Sequence, residues 1–191
     1  MTKVAMILGH DLLEPNEDTR VHREALSLVK AGYEIAVFCW ARRMDKYETK
    51  WDVEIDGIKI IRIFEKLDGG FISKVRGFRR AMKQLQSKVE EYGPDIIHAH
   101  DLETLETAVN ASKKNGAKVI FDSHEDWPMM EIVQSWFIGK YYERKQKKLI
   151  KKVDAILTVS DELALRLGGG TVLYNSEPLD VVKQPVDNHR F

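Results

Sequence analysis

One cysteine, Cys39, stands among 191 residues, so no disulfide can form within the chain. It lies in the apolar run 35–40 and reads as a small buried hydrophobe, in keeping with a reducing cytoplasm. No apolar run approaches the ~18 residues that a membrane span needs, and residues 4–8 are too short for the apolar core of a signal peptide. Net charge is lacking as well. Thirty Lys and Arg balance thirty Asp and Glu, so the field of the whole protein favours no polyanion, and nucleic acid is not an expected partner. No G-x-G-x-x-G turn follows the first apolar run, and no G-x-x-x-x-G-K-[ST] occurs, which disfavours dinucleotide and P-loop readings. Repeats and low-complexity tracts are absent too. With 43% apolar and 31% charged residues, the chain is an ordinary globular one, long enough to bury a core.

What is present alternates. Short apolar runs predict strands at 4–8, 33–40, 58–64, 95–98, 118–122, 155–159 and 171–174. Helical periodicity predicts helices at 19–31, 71–92, 101–115 and 129–152, the last with a break near Gly139, and a short one after Ser160. Asp18 or Thr19 caps the first helix and Gly32 ends it; Asp101 caps the helix after strand four. Asp56-Gly57 marks the turn of a small hairpin. The expected fold class is α/β, a single Rossmann-like three-layer domain with a mainly parallel sheet over residues 1–175. Residues 176–191, polar and punctuated by Pro178 and Pro185, read as an interdomain linker or tail.

The chemistry gathers at two strand ends. Residues 94–101 read PDIIHAHD and residues 119–125 read VIFDSHE, each an apolar run that stops in histidine and carboxylate. His98 and His100, two apart on a strand, point to one face. With His124 at the next strand end, three imidazoles and the carboxylates Asp101, Asp122 and Glu125 can converge on the edge where open parallel sheets bind ligands. An H-x-H pair with a third histidine and an acid suits zinc or a similar ion, and on that reading the chain is a metal-dependent hydrolase. A histidine at the sheet's edge can instead hydrogen-bond substrate hydroxyls. The second reading is preferred and no metal is expected, because further metal-binding motifs and cysteine ligands are missing.

The loop after strand one is long for its place, as binding loops are. Arg20 and Arg23 open helix one against its dipole. Glu17 and Asp18 can neutralise them; alternatively, Arg20 and the free N–H groups of the helix suit an anion. The helix at 71–92 joins an apolar stripe (Phe71, Val75, Phe78, Met82, Leu85, Val89) to a basic face, and a second basic cluster runs from Arg144 to Lys152. Solvated faces are the plainer reading of both clusters. An anionic membrane surface is the other.

Taken together, these residues resemble the N-terminal domain of family 4-like glycosyltransferases with the GT-B architecture. Residues 18–25 (DTRVHREA), with Leu28 and Gly32-Tyr33-Glu34-Ile35, look like that family's opening motif. PDIIHAHDLETL at 94–105 and FDSHEDW at 121–127 match its two central strand ends, and VDAILTVS at 153–160 with TVLYN at 171–175 look like its closing elements. The resemblance implies transfer of a sugar from a nucleotide-sugar donor to an acceptor hydroxyl, with retention at the anomeric carbon and without a cofactor. It implies an acceptor-side domain in the cytoplasm, facing a C-terminal donor domain supplied in cis or in trans. By motif match, His100 or His124 contacts the donor sugar and orients the reacting groups as the catalytic residues. Gly9 admits phosphates to the backbone, Arg20 lines the cleft, and Asp101 and Glu125 complete the substrate-binding set. Two departures stand out: the glycine pair of the family's first loop is missing, and no E-x7-E donor motif follows residue 175. The expectation is therefore that this chain by itself turns over negligibly, as half of an enzyme or as the non-catalytic subunit of a split one.

Overall fold

The computed structural model describes residues 1–13, 18–42 and 52–174, the side chains of 132–134 excepted. In chain order its elements are β1 (Lys3–Leu8), α1 (Thr19–Lys30), β2 (Glu34–Trp40), β3 (Asp52–Ile55), β4 (Ile58–Ile63), α2 (Phe71–Tyr92), β5 (Ile96–His100), α3 (Asp101–Asn115), β6 (Lys118–Ser123), α4 (Trp127–Gln134), α5 (Trp136–Leu149), β7 (Ala155–Thr158), α6 (Asp161–Leu167) and β8 (Thr171–Val172). The tail expected from 176 onward, and Glu17 of the first loop, lie outside the described residues.

One sheet holds all eight strands in the order β3-β4-β2-β1-β5-β6-β7-β8. Every pairing is parallel except β3 with β4. That hairpin turns at Asp56 and Gly57, both with positive φ (52° and 79°), as a two-residue hairpin turn requires. From β1 the chain winds outward through β2 and β4, then returns to the other side and proceeds through β5 to β8. The switch point therefore falls between β1 and β5, and ligands of such sheets bind at the carboxyl ends of strands at that point.

Residue alternation along the strands gives the sheet two apolar faces. Val4, Met6 and Leu8 of β1 pack with Val21 and Ala25 of α1, whereas Ala5 and Ile7 pack in the cluster that holds Leu85, Leu105, Leu149 and Leu163 of α2, α3, α5 and α6. Among the described residues α1 thus stands alone on its face. The register puts Met6 beside His98 and His98 beside Ile120, so the histidines of β5 belong to the α1 face.

Asp18 caps α1, its Oδ1 accepting the Val21 N–H at 3.2 Å. Burial alone would raise its carboxyl pKa, yet hydrogen bonding from His10 and the charge of Arg20 hold it well below the usual range. Asp18→Ala is expected to lower stability by about 1 kcal/mol. A urea titration with an unchanged midpoint would show that the cap carries no weight.

Three local expectations need correction. Asp101 is not the side-chain cap of α3. It begins the helix with φ of 62°, and its carboxylate turns away to accept the backbone N–H of His124 at 3.2 Å. The Thr104 hydroxyl instead donates to the His100 carbonyl at 2.6 Å. The break between α4 and α5 lies at Ser135, in extended conformation, and not at Gly139, which is buried inside α5. Phe71, the first residue of the apolar stripe on α2, is 77% exposed, while Met82, Leu85 and Val89 farther along the stripe are buried.

Candidate active site

Asp122 is the hub of the carboxyl edge. β5 and β6 pair with His100 directly opposite Asp122, so strand geometry brings the two side chains together on one face. Asp122 Oδ2 lies 3.0 Å from His124 Nε2, 3.2 Å from His98 Nε2 and 3.5 Å from His100 Nδ1. The His98 and His100 rings stack at 4.3 Å, and those of His100 and His124 lie nearly parallel at 5.7 Å. All four side chains are buried.

The protonation pattern follows from the donor inventory. An ionised carboxylate only accepts, so His98 and His124 donate from Nε2. With a single proton on the His124 ring, placed at Nε2 by this bond, Nδ1 is a lone-pair acceptor. Burial by itself would raise the Asp122 pKa. The hydrogen bonds from His124 and His98, with the further field of His100 and His98, outweigh it and hold the carboxyl well below its ordinary range. His100 moves well below 6.5, first because it is buried and then because His98 stands beside it. Its ring is neutral.

Around this hub stand groups from two other elements. Glu24, one helical turn after Arg20 on the same face of α1, is pushed up by burial and by the Asp122 charge, with Arg20 opposing. Burial also raises Asp101. Four of the buried side-chain polar atoms without a hydrogen-bond partner among the described residues stand around this hub: Arg20 Nε, Glu24 Oε2, His100 Nε2 and His124 Nδ1. Buried polar atoms in native proteins are paired in the great majority, and the polar atoms of a ligand could pair with this grouping. A cavity of 640 Å³ opens alongside, bounded by Arg20, Glu24 and His98 at its polar end and by Ile96, Ile120 and Leu157 along the sheet.

Arg20, His100, His124 and Asp101 thus gather at one edge. Arg20 touches Asp18 at 3.5 Å, a long contact that leaves its Nε unused, and Arg23 donates to the Thr19 carbonyl at 3.1 Å. Glu125 does not join the hub. It is exposed, and its carbonyl accepts the Ser123 hydroxyl. Gly9 sits at the mouth of the switch point against the Glu103 carboxylate, so closely that a Cβ on Gly9 would overlap Glu103 Oε1. Glu103 is held there by Arg42 at 2.9 Å. A carboxylate, and not open space, therefore covers the Gly9 backbone.

Glu24 and the buried pair of Asp11 and Arg62 were not legible as site residues. Glu24 left a signal in its four-residue spacing from Arg20; Arg62 left none, because only the strand order brings β4 near the first loop. Glu24, His98, His100 and Asp122 each offer one ligand atom within 4.8 Å of the others, a spacing that a cation could use. The positive charge of Arg20 already acts on Glu24 and His100 from beside them.

Residues 18–190 match the family described as Glycosyltransferase Family 4. The chain belongs to that family. No curated protein matches this chain in sequence. Its fold is that of GT-B proteins of known structure. Sucrose-phosphate synthase from Thermosynechococcus elongatus superposes with a TM-score of 0.65 at 12% identity, over 91% of this chain and 47% of that one. The lipopolysaccharide outer core galactosyltransferase WaaB in its apo form gives 0.60 at 18%, over 99% and 50%. The E. coli structure described as trehalose-6-phosphate bound with UDP-2-fluoro glucose gives 0.57 at 16%, over 86% and 41%. The family 4 chain spans about half the length of these three, and at such identities the likeness concerns the fold alone.

Proposed function

We propose that residues 1–175 form the acceptor-side half of a retaining glycosyltransferase that moves a sugar from a nucleotide-sugar donor to an acceptor hydroxyl. A second domain, in cis or in trans, supplies the donor site, and this half by itself turns over negligibly. The observation that carries the reading is the set of unpartnered Arg20, Glu24, His100 and His124 atoms at the switch point of a family 4 chain. His124 Nδ1 and His100 Nε2 suit sugar hydroxyls, since a neutral imidazole nitrogen accepts what a hydroxyl donates. Asp122 is a positioning residue that selects the His124 tautomer, and Asp101 fixes the His124 backbone. Arg20 offers positive charge where a substrate anion would sit. Gly9 and Glu125 flank the edge, and Gly9 meets a phosphate only if Glu103 withdraws.

The reaction uses no resident metal on this reading, and the Arg20 charge already favours the ionised form of Glu24. The buried, lone Cys39 suits a cytoplasmic setting. A metal-dependent hydrolase is the second reading, favoured by the spacing of Glu24, His98, His100 and Asp122.

The test measures sugar transfer by the chain alone and together with a donor-binding half. Transfer is expected only in the second case, with His124→Ala lowering it by about 100-fold and a chelator changing neither rate nor melting temperature. Ordinary turnover by the isolated chain would end the half-enzyme reading. Zinc-dependent hydrolysis would transfer the assignment to the second reading.

A further inference from the structure

No helix among the described residues is long and apolar enough to cross a membrane, yet two helix starts carry large apolar side chains in the open. At the start of α5, Trp136 is 58% exposed, Phe137 79% and Tyr141 59%, and Ile138 beside them and Met130 on α4 are exposed too. At the start of α2, Phe71 is 77% and Ile72 66% exposed. Both starts lie toward the carboxyl edge of the sheet. α2 follows β4, which ends there, and α5 runs back over its fourteen residues to the amino edge, where β7 begins; its ~21 Å match the length of a six-residue strand. The same edge holds His100 and His124.

Below each apolar tip the exposed surface is cationic. Along α5, Phe137, Tyr141, Arg144 and Lys148 follow one another at four- and three-residue steps, a single line on the helix surface. Arg144 and Lys148 are exposed, as are Arg76, Arg79 and Lys83 on α2. None of these five forms an ion pair among the described residues, whereas Lys140, Lys147 and Arg80 are paired with glutamates. In a chain with no net charge, cations without an ion pair among the described residues thus stand behind both exposed apolar tips. An aromatic tip with a basic collar is complementary to the interface of an anionic bilayer, where rings enter the headgroup region and cations meet lipid phosphates.

We propose that this carboxyl edge docks on an anionic phospholipid surface, inserting the α4–α5 corner and the start of α2. Docking in this pose holds the histidine cluster at the lipid boundary, where an acceptor anchored in the bilayer would meet it. The surface binds whether or not the transferase reading holds, and its test uses no donor sugar.

The experiment is co-sedimentation of the full chain with vesicles of phosphatidylcholine alone or with about one-third phosphatidylglycerol. Binding is expected to the anionic vesicles, weaker by about tenfold without the anionic lipid. Trp136→Ser with Phe137→Ser should lower partitioning by about tenfold, and Arg144→Glu with Lys148→Glu by a similar factor that high salt reproduces in the unaltered chain. All four positions are largely exposed, so circular dichroism should show the variants folded. Absence of binding to anionic vesicles, or binding indifferent to the Trp136 and Phe137 changes, overturns the proposal. So does a dimer in sedimentation that dissolves in the Trp136 and Phe137 variant, since the tip would then serve a second copy of the chain.

Discussion

Arg62→Ala is expected to cost about 3–5 kcal/mol of stability, among the largest effects of any single change in this protein. Arg62 Nε donates to Asp11 Oδ2 at 2.7 Å and Nη2 to Oδ1 at 3.3 Å, with both side chains at most 2% exposed. Removing the guanidinium takes from the buried Asp11 carboxylate, which also lies beside the Cys39 thiol, its partner at 2.7 Å. Deleting one member of a buried ion pair costs more than the pair contributes. Asp11→Ala is expected to cost a similar amount, and it also removes the acceptor of the Leu13 N–H at 2.9 Å. The double variant should lose less than the sum of the two, since both single variants delete the same interaction. Urea unfolding of the four proteins gives the cycle. Strict additivity, or a single loss below about 1 kcal/mol, would mean that the pair behaves as a surface ion pair. The effect reaches the site, because Asp11 ties the first loop to β4 two residues beyond Gly9.

Asp122 is the second such position. Asp122→Ala removes the carboxylate that the His98 and His124 rings donate to, and a loss of about 3–5 kcal/mol is expected, as when a buried hydrogen-bonded charge partner is deleted. Sugar transfer should fall with it, because His124 loses the bond that selects its tautomer.

The same cluster sets a pH dependence. The folded pKa of His100 lies below its ordinary 6.5, so below that pH the unfolded ring takes a proton that the folded one does not. Stability falls as pH drops, by up to about 1.4 kcal/mol per pH unit for one proton. Asp122, also held below its ordinary 3.8, contributes stability that is present above that value and lost as pH falls beneath it. Glu24 and Asp101 have raised values and act in the opposite sense, favouring the folded state less as pH rises through their folded pKa. The unfolding midpoint should therefore begin to fall near pH 6.5 and fall more steeply below about 4. His100→Gln should flatten the upper limb. A midpoint constant from pH 7 to 5, or an upper limb unaltered in His100→Gln, would contradict the buried neutral imidazole.

Much of this architecture could be read from local pattern. The period of apolar residues announced α2 with its observed ends, and Asp56-Gly57 announced the hairpin, because turn geometry and helical periodicity are short-range properties. The family motifs carried the GT-B assignment, and His100 and His124 were recognisable by their place at strand ends. The Ser135 break escaped notice because it rests on one residue's extended backbone and not on a glycine. Phe71 looked like core since a stripe reveals which face of a helix is apolar, never whether a neighbour covers its first turn.

Alternation of apolar runs and amphipathic stretches was enough to establish a parallel α/β domain with histidines and carboxylates at its strand ends, since that information is written within a dozen residues at a time. Strand order and register are different, for they arise from packing between segments far apart in the chain. They alone set Asp122 opposite His100, brought Glu24 and Arg20 across to both, buried Arg62 against Asp11, and left Trp136 and Phe137 facing outward at the edge where the histidines meet.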